Sequence, residues 1–524
     1  MRYIIKNTAR IAFVAALALS TTSCDDFLDL QPKDARVESN FYQTEADAME
    51  ALVSIYDVLQ WNTVVGFHPT PMFLDIASDD AFAGGASRTD APNIIEVDMH
   101  NIRVANPEIQ GMWKKHFIGI YRANLLLEKI DGVNASQEFK DKVTAEAKFL
   151  RAHFYLDLVR MYENVPLVLN TLVNPGEYNQ PQASPEEVYN QIAKDLEEAI
   201  PNLPESTLRN NQGRVTKWAA KALLARTYLF YNGVYNAQLK AGSTTVDASR
   251  ALNHLKDIID KSGHILLANY ADNFKKSGEY SLESVWEISY SDKNPWWDWG
   301  YIQGGEGNMQ PQMQGPRVVS PAIESYERGW SFATATQALY NAFEANDPRR
   351  DATILEQAEL NGELDKGYQH TGYFSQKYTT SKDYKPGAGQ PELNWGNNYR
   401  SVRFSDVLLM AAELAVKTSG NAQQYFDMVR SRVGLTPVPA TLDNIYKERR
   451  VELALEGHRY WDLLRQGLNV TEQRITVSGS RGPLYVGDQV DFNVTFKPAT
   501  KGFFPIPQSE IAISNGILKQ NAGY

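Results

Sequence analysis

Hydrophobic side chains recur every three to four positions along most of the chain, which is the spacing of an amphipathic helix. Residues 146–162, 213–229 and 402–418 show this pattern and are rich in Ala and Leu, and residues 248–261 follow as an antiparallel companion of the second stretch. Small and bulky apolar side chains next to each other favour close packing of one helix on another. The pattern predicts a mainly α-helical scaffold in which helices pack in pairs.

Residues 445–466, IYKERRVELALEGHRYWDLLRQ, combine this apolar spacing with many charges and predict one buried helix. A charge is stable in a core only when it is paired and hydrogen-bonded. We therefore expect an ion-pair network with neighbouring helices. An acid–base active site built from the Glu and His side chains is the alternative. It fits less well, because the charges spread over several faces and more than about five turns.

Helical periodicity fades in two regions, residues 60–106 and 290–330, where Pro and Gly are frequent. Residues 284–290 and 477–496 alternate like short strands. Long irregular segments in a compact chain are usually functional. We expect a loop-rich part with a few short strands beside the helices, and ligand-binding loops in these two regions.

The segment 295–301, PWWDWGY, holds four aromatic side chains in seven residues: Trp296, Trp297, Trp299 and Tyr301. So many rings in a Pro- and Gly-flanked loop are hard to bury together, and exposed rings are costly unless they meet an apolar partner. A sugar offers a C–H face for stacking and hydroxyls for hydrogen bonds. We predict a glycan-binding surface here. The alternative is a Trp-rich knot packed beneath the loop, and we expect at least one of the three Trp to be internal.

A second wall of that surface is predicted from the earlier irregular region. Trp61, Phe67 and His68 are candidates for stacking and hydrogen bonding, and Asp79 or Asp80 for holding hydroxyls. The alternative is that His68 fixes a turn and Asp80 caps one.

The N-terminus has the pattern of a secretory signal. Residues 1–23 contain a basic start, a short apolar run too short to span a bilayer, and small residues before Cys24. Because Cys24 is the only cysteine, it cannot form an internal disulfide. Its position resembles a bacterial lipoprotein signal, in which this Cys is the lipid attachment site. We expect residues 24–40 to be a tether and residues 24–524 a single domain.

Net charge and missing motifs exclude several classes of function. A net charge of −11 offers no basic stripe for nucleic acid. The chain has no His-Glu-x-x-His motif, and its phosphate-loop spacing at residues 362–367 is followed by Tyr368 where Lys is required. We predict a protein that is not an enzyme and has no cofactor or assigned metal site. Two carboxylates would suffice for a glycoside hydrolase, and a structural Ca²⁺ held by Asp79, Asp80 and Asp90 stays open.

Several segments together resemble the SusD/RagB family of nutrient-binding outer-membrane lipoproteins. They run in the family's order from the CDDFLDLQP opening at Cys24 to the chain end, and include ERRVELALEGHRYWDL at 448–463, LRAHFYLDLVRMYENVPLV at 150–168, GRVTKWAAKALLARTYL at 213–229, DPRR at 347–350 and FPIPQSEI at 504–511. The resemblance implies tetratricopeptide-like helix pairs, although the regular period of about 34 residues is absent.

The resemblance also implies a function. It predicts a protein anchored by lipid in the outer membrane and facing outwards, which captures a glycan or oligosaccharide and delivers it to a SusC-like TonB-dependent transporter. Residues 25–26, both Asp, resemble a surface-export tag. The alternatives are a surface glycoside hydrolase, and a protein-assembly scaffold or peptide-binding lipoprotein.

Overall fold

The computed structural model describes residues 41–62, 64–67, 69–299, 305–319, 325–360, 364–477 and 493–524. The predicted signal, the tether with Cys24, and the site candidates His68 and Tyr301 lie outside these residues. Among the described residues the α-helices are, in chain order, α1 Glu45–Gln60, α2 Thr70–Ile76, α3 Pro92–Asp98, α4 Pro107–Lys129, α5 Gln137–Tyr162, α6 Pro185–Ala199, α7 Lys217–Tyr235, α8 Ala248–Lys261, α9 Gln310–Gln314, α10 Gln337–Tyr340, α11 Arg349–Thr353, α12 Phe404–Lys417, α13 Ala422–Arg432, α14 Leu442–Glu452, α15 Arg459–Arg465, α16 Leu468–Ile475 and α17 Gln508–Ile513.

Helices that follow each other along the chain pack side by side, as the sequence predicts. α4 packs on α5, α5 on α6, α6 on α7, α7 on α8, and α12 on α13, while α1 closes against α4. One large hydrophobic core runs through these pairs. No helix of the described part of the chain is both long and apolar enough to cross a membrane.

Caps explain where several helices begin. The Thr44 hydroxyl accepts the backbone N–H of Asp47, and the Asp47 carboxylate accepts the N–H of Thr44 at 2.9 Å, so a capping box starts α1. Thr216 caps α7, which begins later than the predicted 213–229. The helix predicted at 248–261 is confirmed.

Eight short strands form four antiparallel pairs in the described residues. They are β1 Ala81–Gly84, β2 Leu239–Ala241, β3 Thr244–Val246, β4 Ser284–Ile288, β5 Phe332–Ala335, β6 Ile354–Glu356, β7 Tyr373–Ser375 and β8 Tyr399–Arg403. β1 pairs with β5, β2 with β3, β4 with β8 and β6 with β7. In the β1–β5 pair, Gly84 lies opposite Phe332. This pair joins the first region of predicted ligand-binding loops to the strand that directly follows the second region.

The first of those regions is less irregular than predicted. Residues 60–106 contain α2, β1 and α3. Pro71 and Pro92 lie in the first turns of α2 and α3, where a proline has no hydrogen bond to lose, so they start helices and do not interrupt them. The alternating pattern at 477–496 is represented by one antiparallel bridge between Val477 and Val494, and residues 478–492 lie outside the described structure.

The single helix predicted for residues 445–466 is wrong. The chain forms α14 and α15 with a tight turn at residues 453–458 between them. Leu455 and Gly457 adopt left-handed backbone angles, with φ of 57° and 74°. A side chain at Gly457 would press on the backbone of Pro71, and the N–H of Gly457 donates to the Asp75 carboxylate at 2.9 Å. The turn therefore holds α2 against the C-terminal helices.

The predicted ion-pair network surrounds this turn and is confirmed. Arg403 is fully buried and contacts Glu452 and Glu456, both at 2.8 Å, and Glu283 at 2.9 Å. Arg349 and Arg432 also pair with Glu452. Burial alone would raise the pKa of Glu452, but Arg432, Arg403 and Arg349 hold it well below its ordinary value. The charges of this segment are structural.

Replacing Arg403 with Met should be strongly destabilising. The change leaves three buried carboxylates short of a partner, and removal of one member of a buried pair typically costs about 3–5 kcal/mol. Lys385→Met is the matched control, because Lys385 pairs with Glu327 at the surface, where a pair contributes less than about 1 kcal/mol. Urea unfolding monitored by circular dichroism measures both. Equal, small losses in the two variants would contradict a structural role for the network.

Candidate functional site

Three aromatic rings from distant parts of the chain meet at the surface. The rings of Trp299 and Trp330 stack with centroids 5.9 Å apart and 17° between their planes, and Phe67 meets Trp299 edge-on at 5.8 Å. We call Phe67, Trp299 and Trp330 the aromatic cluster. Trp299 is 42% exposed and Phe67 39% exposed, and the nearby Trp297 is 73% exposed. The two predicted loop regions therefore contribute to one surface.

Trp296 is the internal member of the Trp-rich segment. Its side chain is buried against Gly305, where any side chain would overlap the indole ring. Its backbone N–H donates to the side-chain oxygen of Asn394 at 2.7 Å, and its carbonyl accepts the Asn394 side-chain N–H at 2.8 Å. Trp296 thus fixes the base of the loop that presents Trp297 and Trp299.

Two other predicted site residues are in the interior, which corrects their assignment to a binding surface. Trp61 is 1% exposed and lies under the guanidinium of Arg122, whose carbon is 4.9 Å from the ring centroid. Asp80 is 0% exposed and pairs with Arg450 at 2.6 Å. Neither side chain can touch a surface ligand in this conformation. Trp61 is buried by packing, and Asp80 is held in the interior by its ion pair.

Trp330 is the site residue that sequence reasoning missed. It stands alone between Gly329 and Ser331, at the limit of the predicted loop region, and no local pattern distinguishes it from a core residue. Its N–H donates to the Gln312 carbonyl at 2.8 Å, and its own carbonyl accepts Arg317 at 3.0 Å. Only its pairing with Trp299 in space shows its place in the cluster.

Phe67 is held by a buried carboxyl group. The backbone N–H of Phe67 bonds to Glu108 at the start of α4, and Asn93 also bonds to Glu108. A side chain at Gly66 would overlap the Glu108 carboxyl group, so the turn approaches it closely. Burial raises the pKa of Glu108 to about 7, although these hydrogen bonds act in the opposite direction.

Buried amides connect the parts of the site from below. The Asn308 N–H donates to the Trp395 carbonyl at 2.8 Å, and the Trp395 indole N–H donates to Gln312 at 3.2 Å. Asn62, next to Trp61, donates to Asn308 at 3.4 Å. The backbone carbonyl of Gln312 also accepts the backbone N–H of Trp330, so this network is joined to the backbone of one member of the aromatic cluster.

The carboxylates considered for a calcium ion have arginine partners. Asp79 pairs with Arg459 at 2.8 Å, and Asp90 lies 3.4 Å from Arg317. Burial would raise the pKa of Asp79, but Arg450 and Arg459 lower it to about 2. Within the described ranges no three His, Cys, Asp or Glu side chains are grouped closely enough to hold a metal ion.

The fold is a scaffold of helix pairs with the aromatic cluster at its surface. Comparison with known sequences agrees: residues 282–524 match the SusD family, and residues 26–229 match the family described as starch-binding associating with outer membrane. The SusD-like protein P25 of Formosa agariphila is 28% identical over 492 residues, which cover 86% of this chain and 88% of that protein.

Solved structures show the same fold over almost the whole chain. A laminarin-binding SusD-like protein is 33% identical, with a TM-score of 0.79, and the match covers 92% of this chain and all of that one. Surface glycan-binding protein A of Bacteroides thetaiotaomicron, in complex with laminarihexaose, is 29% identical, with a TM-score of 0.80 over 91% of this chain and all of that one. The chain belongs to the SusD family.

Replacing Glu108 with Gln should change how stability depends on pH. A carboxyl group whose pKa is raised from 4.5 to about 7 by folding destabilises the fold progressively as pH rises between those values. Glu108→Gln removes this term, so its stability relative to the unmodified protein should rise over pH 4.5–7 by on the order of 3 kcal/mol and then level off. Urea unfolding at several pH values measures it.

The control is Glu138→Gln, which changes an exposed carboxylate in the first turn of α5. It should show no comparable step in this pH range. A pH-independent difference between Glu108→Gln and the unmodified protein would contradict a buried, proton-binding Glu108.

Proposed function

We propose that this protein is a cell-surface lipoprotein that binds a glycan at the aromatic cluster and passes it to a TonB-dependent transporter. The observation that carries the proposal is the stacking of the exposed Trp299 on the half-buried Trp330, with Phe67 at the edge of the pair. A flat, apolar surface of this kind suits the C–H face of a sugar ring. The neighbouring Trp297, mostly exposed, extends the surface along a chain of sugars.

The expected affinity is weak to moderate. A stacked sugar ring removes on the order of 100 Å² of apolar surface from water, which is worth roughly 2.5 kcal/mol per ring. Ordering and translational costs consume part of the gain from two or three rings. Such affinity is suited to capture followed by release, which a delivery protein needs.

The first candidate ligand is a laminarin-type glucan. Two similar solved structures are described as binding laminarin or laminarihexaose, and each matches more than nine-tenths of this chain. These two structures are described as binding proteins, and in this chain Glu283, Glu452 and Glu456 each form an ion pair with Arg403. Binding without turnover is therefore the proposed activity.

Replacing Trp299 with Ala should weaken binding of laminarihexaose at least about tenfold, because the variant loses one stacking surface worth about 1.4 kcal/mol or more. Isothermal titration calorimetry measures the affinity, and a glycan array identifies the ligand if laminarihexaose is not bound. Tyr178→Ala is the matched control: Tyr178 is 57% exposed but lies outside the aromatic cluster. It should bind like the unmodified protein.

Three outcomes would overturn parts of this proposal. Unchanged binding in Trp299→Ala would exclude the aromatic cluster as the platform. Absence of binding to every glycan on the array would favour a peptide-binding or assembly protein. Release of shorter sugars from the ligand, followed by chromatography, would favour a glycoside hydrolase.

Anchoring is proposed to occur through Cys24. In a host that processes lipoproteins, Cys24→Ser should move the protein from the membrane fraction to the soluble fraction, because the acylated residue is lost. Ser23→Ala, which keeps a small residue before the Cys, is the control and should remain in the membrane fraction.

Affinity purification of the anchored form from its native outer membrane should recover a TonB-dependent transporter. Recovery of none would contradict the delivery step.

A further inference from the structure

A cavity of about 60 Å³ lies between helices of the scaffold, and its described lining residues include no member of the aromatic cluster. Its walls come from the end of α1, from α2, α4, α5 and α7, and from the turn and helix that contain His458 and Trp461. One water needs about 10–15 Å³ when volume is measured in this way, so the space has room for several waters or for one small ion with a water.

The walls carry more positive than negative charge. Lys115, Arg160 and Arg226 line the cavity, and Asp157 is the one acidic side chain among the described lining residues. Arg226 is compensated from behind by Asp406 at 2.6 Å. Asp157 pairs with Arg160, which leaves Lys115 without a carboxylate of its own.

Lys115 is buried with little compensation. Its ammonium group donates to the Leu59 carbonyl at 3.0 Å, and the nearest carboxylate that affects it is Asp157. Burial lowers the pKa of Lys115 to about 8, so the group is still mainly charged at neutral pH. A buried charge of this kind is costly unless an opposite charge approaches it.

The histidines that line the cavity supply no negative charge to balance its lysine and arginines. Burial lowers the pKa of His153 to about 4 and that of His458 to about 3, so both are neutral at pH 7. Both ring nitrogens of His116 face oxygen acceptors, with Nδ1 2.6 Å from the Met112 carbonyl and Nε2 3.4 Å from Asp157.

The cavity also has unused hydrogen-bond donors. The Thr70 hydroxyl and the Trp461 indole N–H both belong to lining residues, are buried, and have no hydrogen-bond partner among the described residues. Lys115 has further N–H groups beyond the one given to Leu59. Buried donors require acceptors. The cavity therefore combines excess positive charge with donors that have no acceptor.

We propose that this cavity binds a small inorganic anion, a halide or a compact oxyanion, held by Lys115, Thr70 and Trp461. The anion supplies the missing negative charge and the missing acceptor together. Its site is separate from the glycan platform. One contact connects the two: Asn62 lines the cavity and donates to Asn308 in the amide network below Trp330.

The test uses the full lipoprotein in detergent, dialysed into gluconate, an anion too large for the cavity. Chloride, bromide, nitrate, sulfate or phosphate then replaces gluconate at constant ionic strength, while the melting temperature is followed. We expect a saturable rise of about 1–3 °C for the anions that fit. Comparison of halides with oxyanions identifies the class. A melting temperature that does not depend on the anion would overturn the proposal.

Two variants locate the site. Lys115→Met should abolish the anion-dependent shift, and Thr70→Val, which keeps the side-chain volume, should weaken anion affinity severalfold. Lys221→Met is the control, because Lys221 is also a buried lysine but pairs with Asp257 outside the cavity, so its variant should keep the shift. If Lys115→Met does not fold, the anion affinity of Thr70→Val tests the assignment of the site. Crystals soaked separately in bromide and in sulfate provide the direct measurement: either anion beside Lys115 supports the proposal, and water alone there in both soaks overturns it.

Discussion

The structure depends on the compensation of buried carboxylates around the turn between α14 and α15. Glu452 and Glu456 lie in the core and are stable as anions only because arginines surround them. The same segment extends to the binding region. Arg450 and Arg459 pair with Asp80 and Asp79, which directly precede β1. β1 pairs with β5, and Trp330 lies two residues before β5. The ion pairs thus connect the charged signature of the chain to the base of the aromatic cluster.

The helical scaffold was the part that the sequence could predict, because periodicity and caps are local signals. Thr44 with Asp47 marks the start of α1 without knowledge of any other element. The break at 453–458 was not predictable in this way, since it depends on Pro71 and Asp75, which are hundreds of positions away along the chain. Apolar spacing alone does not distinguish one buried helix from two that are joined by a buried turn.

The sequence predicted the position of the candidate site better than it predicted which residues form it. The cluster of Trp residues at 296–299 is visible in the sequence, and its position on a loop was inferred correctly from Pro and Gly. Which ring is exposed depends on tertiary contacts: Asn394 and Gly305 bury Trp296, whereas Trp299 turns outward to meet Trp330. Trp61 and Asp80 have the right chemistry for a sugar site, but both are buried. Arg122 lies over the Trp61 ring, and Arg450 forms an ion pair with Asp80.

Phe67 and Trp299 are the exposed rings of the aromatic cluster and lie outside the hydrophobic core, whereas Trp330 packs against it. The exposed rings that we propose contact the ligand are therefore different residues from those that form the core in the same loops. Substitutions at Phe67 and Trp299 should therefore cost the scaffold less than substitutions at Trp330. Such an arrangement allows one architecture to diversify its specificity by small steps, each of which leaves a stable protein on which selection can act.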